Sequence, residues 1–77
     1  MEQFYVFELQ HRPDGVINQT VATRSSLAMA LSHYYERKSK MVVTNLYTKV
    51  AIMLCDSNLT VIEQDVLETL YQPGAAE

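Results

Sequence analysis

Leu46-Tyr47-Thr48-Lys49-Val50-Ala51-Ile52-Met53-Leu54-Cys55 is the longest largely apolar run in the chain; it holds β-branched residues and neither Gly nor Pro. Leu46, Thr48, Val50, Ile52 and Leu54 alternate to one side. Tyr47, Lys49, Ala51, Met53 and Cys55 fall on the other, which is also mostly apolar. Apolar residues on both faces mark an inner strand, or a strand whose second face meets another subunit. The run predicts a central strand over 46–55, which the remaining chain must cover.

On its N-terminal side, Ser26 to about Val43 has helical spacing. Leu27, Ala30, Leu31, Tyr34, Met41 and Val42 recur at steps of three and four, with Ser32, His33, Glu36, Arg37 and Lys40 on the other side. Ser25 is the expected cap. Arg37, Lys38 and Lys40 complement the helix end, and Glu36 and Lys40 are spaced to pair. On the C-terminal side, Asp56-Ser57-Asn58 is a turn cluster. Leu59–Gln64 fits a strand or a helix, its β-branched residues favouring the strand. Asp65-Val66-Leu67-Glu68 resembles a capping box, which suggests a short helix over Val66–Tyr71. Residues 72–77 read as a flexible tail to a single domain over 1–71.

The start of the chain reads as a hairpin. Tyr5, Phe7 and Leu9 alternate with Val6, Glu8 and Gln10, and Arg12-Pro13-Asp14-Gly15 follows. Pro presets φ, Asp suits the next turn position, and Gly accepts positive φ, as in a three-residue loop with a glycine bulge. That loop sets Arg12 opposite Val16, His11 opposite Ile17, Leu9 opposite Gln19, Phe7 opposite Val21 and Tyr5 opposite Thr23. One face then carries Tyr5, Phe7, Leu9, Ile17 and Val21 and is expected to be the buried one. Glu8, Gln10, Asn18 and Thr20 are expected to face water. Together these elements predict an α+β fold of ββαββ order: a small antiparallel sheet with one long helix on one face.

Seventy-seven residues with 48% apolar and 19% charged content describe a small globular chain. At this size only about 60% of the unfolded surface is buried, so such domains rely on disulfides, metals or association. Cys55 is the single cysteine and cannot pair within the chain. One thiol and a start without a basic, apolar leader point to a reducing, cytoplasmic setting. No run is long enough to span a membrane. The net charge of −3 is uneven: every base lies in residues 1–49, whereas residues 50–77 hold only acids. Overall negative charge argues against general nucleic-acid binding.

Chemistry-bearing residues are sparse. His11, His33 and Cys55 lack metal-ligand spacing, so no metal or cofactor is expected. Cys55 has no base near it in sequence, and at the end of an apolar strand it reads as a small buried hydrophobe. Glu8, Glu63, Asp65 and Glu68 show no sign of a poised acid–base pair. Gly15 and Gly74 do not open helices, so no phosphate loop is present. The chain is therefore expected not to be an enzyme. The one suggestive constellation is Tyr34, Tyr35, Arg37, Lys38 and Lys40. Aromatic and cationic groups of this kind suit a protein interface, or a nucleotide base and its phosphate. The bland alternative is that Tyr34 packs in the core while the cations complement the helix end.

A sheet this small, with one helix, leaves a second side uncovered. Phe4, Val6, Tyr47, Ala51 and Met53 are the candidates to line it, with a second copy of the chain as the simplest cover. In style, though through no motif, this short acidic chain resembles accessory or inhibitor proteins of bacteria, phages and mobile elements. The expectation is a non-catalytic interaction module that forms a homodimer or larger homo-oligomer and contacts a partner through the Tyr/Arg cluster. The alternative is a small-ligand or nucleotide-sequestering protein with its pocket at a subunit interface.

Overall fold

The computed structural model describes residues 2–71. Over them the chain runs β1 (Phe4–His11), β2 (Ile17–Arg24), α1 (Leu27–Val42), β3 (Lys49–Cys55) and β4 (Val61–Glu68). The strands form one antiparallel sheet in the order β2-β1-β3-β4, and α1 packs across one of its faces. This is the expected α+β architecture. The flexible tail inferred for 72–77 lies outside the described residues.

The first hairpin has the register set by its loop: Leu9 opposes Gln19, Phe7 opposes Val21 and Tyr5 opposes Thr23. The Arg12 N–H donates to the Val16 carbonyl at 2.9 Å and the Gly15 N–H to the Arg12 carbonyl at 3.1 Å. Gly15 sits at φ +90°, a conformation that side-chain-bearing residues rarely adopt. Asp14 Oδ1 accepts the Val16 N–H at 3.0 Å.

The helix starts one residue later than expected. Ser26, not Ser25, is the cap, and its hydroxyl accepts the Met29 N–H at 3.2 Å. β3 is the inner strand that its apolar run implied, but it begins at Lys49, not Leu46. Thr48 donates both its N–H and its hydroxyl to the His11 carbonyl, at 2.8 and 3.1 Å, which ends the ladder there. Leu46 is left exposed in the preceding loop.

Leu59–Gln64 resolves in favour of the strand, and β4 continues to Glu68, so the short helix over Val66–Tyr71 does not form. Paired with Ile52 in the ladder, Asp65 does not cap a helix: its carboxylate accepts the N–H of its own neighbour Val66 and pairs with Lys38 of α1. Asp56 shapes the β3–β4 turn, its Oδ1 accepting the Asn58 and Thr60 N–H groups, both at 2.9 Å. The turn forces Leu59 to φ 63°, the left-handed region.

The sheet buries the opposite face from the one expected of the hairpin. Phe4, Val6, Ala30, Tyr34, Ile52 and Leu54 form the core between sheet and helix, flanked by Ala22 and Leu31. The side of β1 under α1 therefore carries Phe4, Val6, Glu8 and Gln10, all buried. Tyr5, Phe7 and Leu9 face the other way. The side expected to be wet lies under the helix, and the side expected to be buried is the open one. The β1–β3 register explains this. Val50, Ile52 and Leu54, the strongest apolar side of β3, fall opposite Gln10, Glu8 and Val6, so all six share one face.

Candidate functional site

Burying the polar side of β1 creates a charged cluster beneath the helix. The Arg37 guanidinium forks onto the Glu8 carboxylate, Nε to Oε1 and Nη2 to Oε2, both at 2.9 Å. Gln10 Nε2 also donates to Glu8. Burial pushes the Glu8 carboxyl up, but the bonds from Arg37 and Gln10 together with the guanidinium charge outweigh this. They hold it below its ordinary value of 4.5. The same bond from Glu8 raises Arg37. Among the described residues no buried side-chain nitrogen or oxygen is left without a hydrogen bond, so the cluster is closed on itself.

Next to it, Arg24 Nη2 lies 3.3 Å from His33 Nδ1. Burial first, then the Arg24 and Arg37 charges, hold the imidazole below its ordinary range, with Glu36 and Glu8 opposing. A cleft of about 270 Å³ opens here between β1, β2 and α1, lined by Glu8, Thr20, Ala22, His33 and Arg37 among others. Its one strong cation and one strong anion are already paired with each other.

The Tyr/Arg constellation is dispersed by the fold. Tyr34 is 1% exposed and belongs to the core, with burial raising its phenol. Tyr35 stacks edge-on against it, ring centres 5.2 Å apart, and stays exposed. Arg37 is engaged by Glu8, Lys38 by Asp65 at 2.8 Å, and Lys40 by Glu36 at 3.0 Å. Tyr35 alone of this set presents a surface group with no ion-pair partner. The residues assigned to self-association divide as well. Ala51 and Met53 lie on the open side of β3, whereas Phe4 and Val6 lie in the core and do not reach it. Tyr47 sits half-buried in the α1–β3 loop, its carbonyl accepting the Thr69 hydroxyl.

The open side of the sheet is the main exposed feature. Alternation places Tyr5, Phe7 and Leu9 of β1, Ile17 and Val21 of β2, Ala51 and Met53 of β3, and Val66 of β4 on it. Leu9, Ile17, Val21 and Val66 all have at least a third of their surface in water. Tyr5 and Phe7 lie with ring centres 6.2 Å apart. A groove of about 410 Å³ runs over this face between Phe7, Leu9, Ala51, Met53, Gln64 and Val66. Lys49 and Glu68, opposite each other at one end, are the only Lys, Arg, Asp or Glu side chains that the four strands direct to it.

Cys55 is buried at the irregularity between Leu54 and Cys55, and burial, with Asp56, pushes its thiol up. Among the described residues, no group of three or more His, Cys, Asp or Glu side chains converges as a metal site would need, and no helix is long and apolar enough to cross a membrane. No family model, curated protein or solved structure matches the chain.

Proposed function

We propose that the protein is a non-catalytic interaction module that self-associates by stacking the helix-free face of its sheet on that of a second copy. The observation that carries this reading is the apolar face itself, running across all four strands with a groove at its centre. A contiguous apolar patch of several hundred Å² is at the upper end of what a monomer exposes, and such patches are often functional. Four strands about 4.8 Å apart and seven or eight residues long cover roughly 500 Å², so two copies bury about 1,000 Å², the lower bound for a specific interface. The near-absence of charge lets like faces meet without repulsion, and stacked sheets pack their side chains about 10 Å apart. A chain this small gains from the added burial.

Partner contact through Tyr35 and its neighbours, a cytoplasmic setting and an accessory role of the phage or mobile-element kind belong to the same proposal. The cations of the Tyr/Arg set are occupied by carboxylates, which weakens the nucleotide reading. Size-exclusion chromatography with light scattering at micromolar concentration tests self-association. The expected result is a multimer that Met53→Asp reduces in mass with the fold retained by circular dichroism. A wild-type chain that is strictly monomeric would remove the proposal.

A further inference from the structure

The outer side of β2 is a second surface with unused bonding capacity. Bonded and non-bonded pairs alternate along an antiparallel ladder. The closing bond from the Arg12 N–H to the Val16 carbonyl, at 2.9 Å, therefore makes Asn18, Thr20, Ala22 and Arg24 the residues of β2 bonded to β1. The His11 carbonyl, turned instead to Thr48 at 2.8 Å, fits the same alternation. The backbone groups of Ile17, Gln19, Val21 and Thr23 thus point away from the sheet. Beyond the ladder, the only partner among the described residues for any of them is the Arg24 guanidinium, 2.8 Å from the Thr23 carbonyl.

Exposed edges are ordinarily protected by charge, proline or bulges. The opposite edge, β4, carries Glu63, Asp65 and Glu68, and its pairing with β3 is irregular at Leu54/Cys55. β2 has none of these over eight residues except Arg24 at its end. We propose that β2 is a pairing edge for β2 of a second copy, antiparallel about a two-fold axis through Thr20. In that register Ile17 meets Thr23 of the second copy and Gln19 meets Val21. Every outward N–H and carbonyl then finds a partner, and no two charges are juxtaposed. A shift of two residues either way leaves Ile17 or Thr23 unpaired. Residues 17–23 of β2 carry no charge, so two copies of this edge meet without repulsion, and a self-associating chain supplies the second copy as the occupant.

The inference rests on the reading of the chain as self-associating and adds a second contact to it. Edge pairing joins two sheets with their helix-free faces on the same side, and stacking two such pairs closes a tetramer.

Cysteine cross-linking tests the edge. Thr20 is exposed, and as a non-bonded pair on the axis its two copies stand about 4.5 Å apart at Cα, within disulfide reach. Thr20→Cys should give a linked dimer on mild oxidation. Asn18→Cys, on the same side of the strand but about 14 Å from its copy, should not. The native Cys55 is buried, and the parent protein supplies the background. Gln19→Pro, which removes an outward N–H but no bond to β1, should reduce the native mass from tetramer to dimer. Met53→Asp should do the same by the other contact, and the double variant should be monomeric. If Thr20→Cys links no faster than Asn18→Cys, or Gln19→Pro keeps the wild-type mass, edge pairing is overturned while face stacking stands. If Met53→Asp alone leaves the mass unchanged and Thr20→Cys links, face stacking fails and the edge stands.

Discussion

Removal of the Arg37 side chain is the most informative perturbation of the fold. Arg37→Ala strands the Glu8 carboxylate, whose side chain is 3% exposed, under the helix with Gln10 as its only remaining side-chain partner. Breaking a buried pair from one side costs about 3–5 kcal/mol. Arg37 itself is 28% exposed, so water enters from its side and the lower end, about 3 kcal/mol, applies. A domain of this size has a total of roughly 4–12 kcal/mol. Urea unfolding followed by circular dichroism at pH 7 should show that loss, with a fall in Tm of roughly 12–24 °C.

The pH dependence separates this cause from lost packing. In the wild type, Glu8 lies below its unfolded value near 4.5. Its contribution is therefore complete above that value and disappears as pH falls through the folded pKa. In Arg37→Ala, burial without the guanidinium raises the carboxyl instead, so the folded state binds the extra proton and the variant gains stability on acidification from pH 7. Replacing both partners by apolar residues, Glu8→Leu with Arg37→Met, should recover most of the loss. A loss below about 1 kcal/mol, or wild-type and Arg37→Ala curves with the same slope between pH 4 and 7, would refute the reasoning.

Two further outcomes follow from local geometry. Leu59 holds φ 63° in an exposed turn, so Leu59→Gly should raise stability by about 0.5–1 kcal/mol in the same urea assay, the relief of left-handed strain exceeding the entropy of the added glycine; an unchanged or lower midpoint counts against it. Cys55, buried and with its thiol pushed up, should react with a thiol reagent only as fast as the chain opens, so its labelling rate should rise with urea, and instant labelling in native buffer would contradict its position.

Local chemistry was legible in the sequence where it is self-contained. Pro13-Asp14-Gly15 specified a loop, the loop specified a register, and every pair of the first hairpin follows from it. The apolar run ending at Cys55 announced an inner strand, and the three- and four-residue spacing announced the helix. What was not legible is non-local. Tyr5, Phe7 and Leu9 form a more apolar stripe than Val6, Glu8 and Gln10, so the hairpin alone puts the wrong side inward. The decision is made by β3, whose Val50, Ile52 and Leu54 align with the polar stripe once the two strands pair. The polar stripe becomes tolerable because Arg37 reaches down from α1, and that contact joins residues 29 positions apart. Glu8, in an otherwise half-buried strand, and Arg37, one turn beyond Tyr34, are the only hints of it. The Tyr/Arg cluster was visible as a set of residue types, and the Glu36–Lys40 pair was legible from its four-residue spacing, but the carboxylates that engage Arg37 and Lys38 come from β1 and β4.

The strand order has a kinetic consequence. Both outer pairs, β2 with β1 and β4 with β3, close over short turns, but within the sheet the two hairpins pair only along β1 and β3, from Tyr5–Cys55 to His11–Lys49. Zippering of β1 onto β3 is therefore the pairing with the largest loop to close, and its entropy is expected to limit the refolding rate. Until it happens, the inner strands are themselves bare edges, and crowding at that stage favours misassembly over folding. Lengthening the Thr44–Thr48 connection should slow refolding while scarcely changing the unfolding rate.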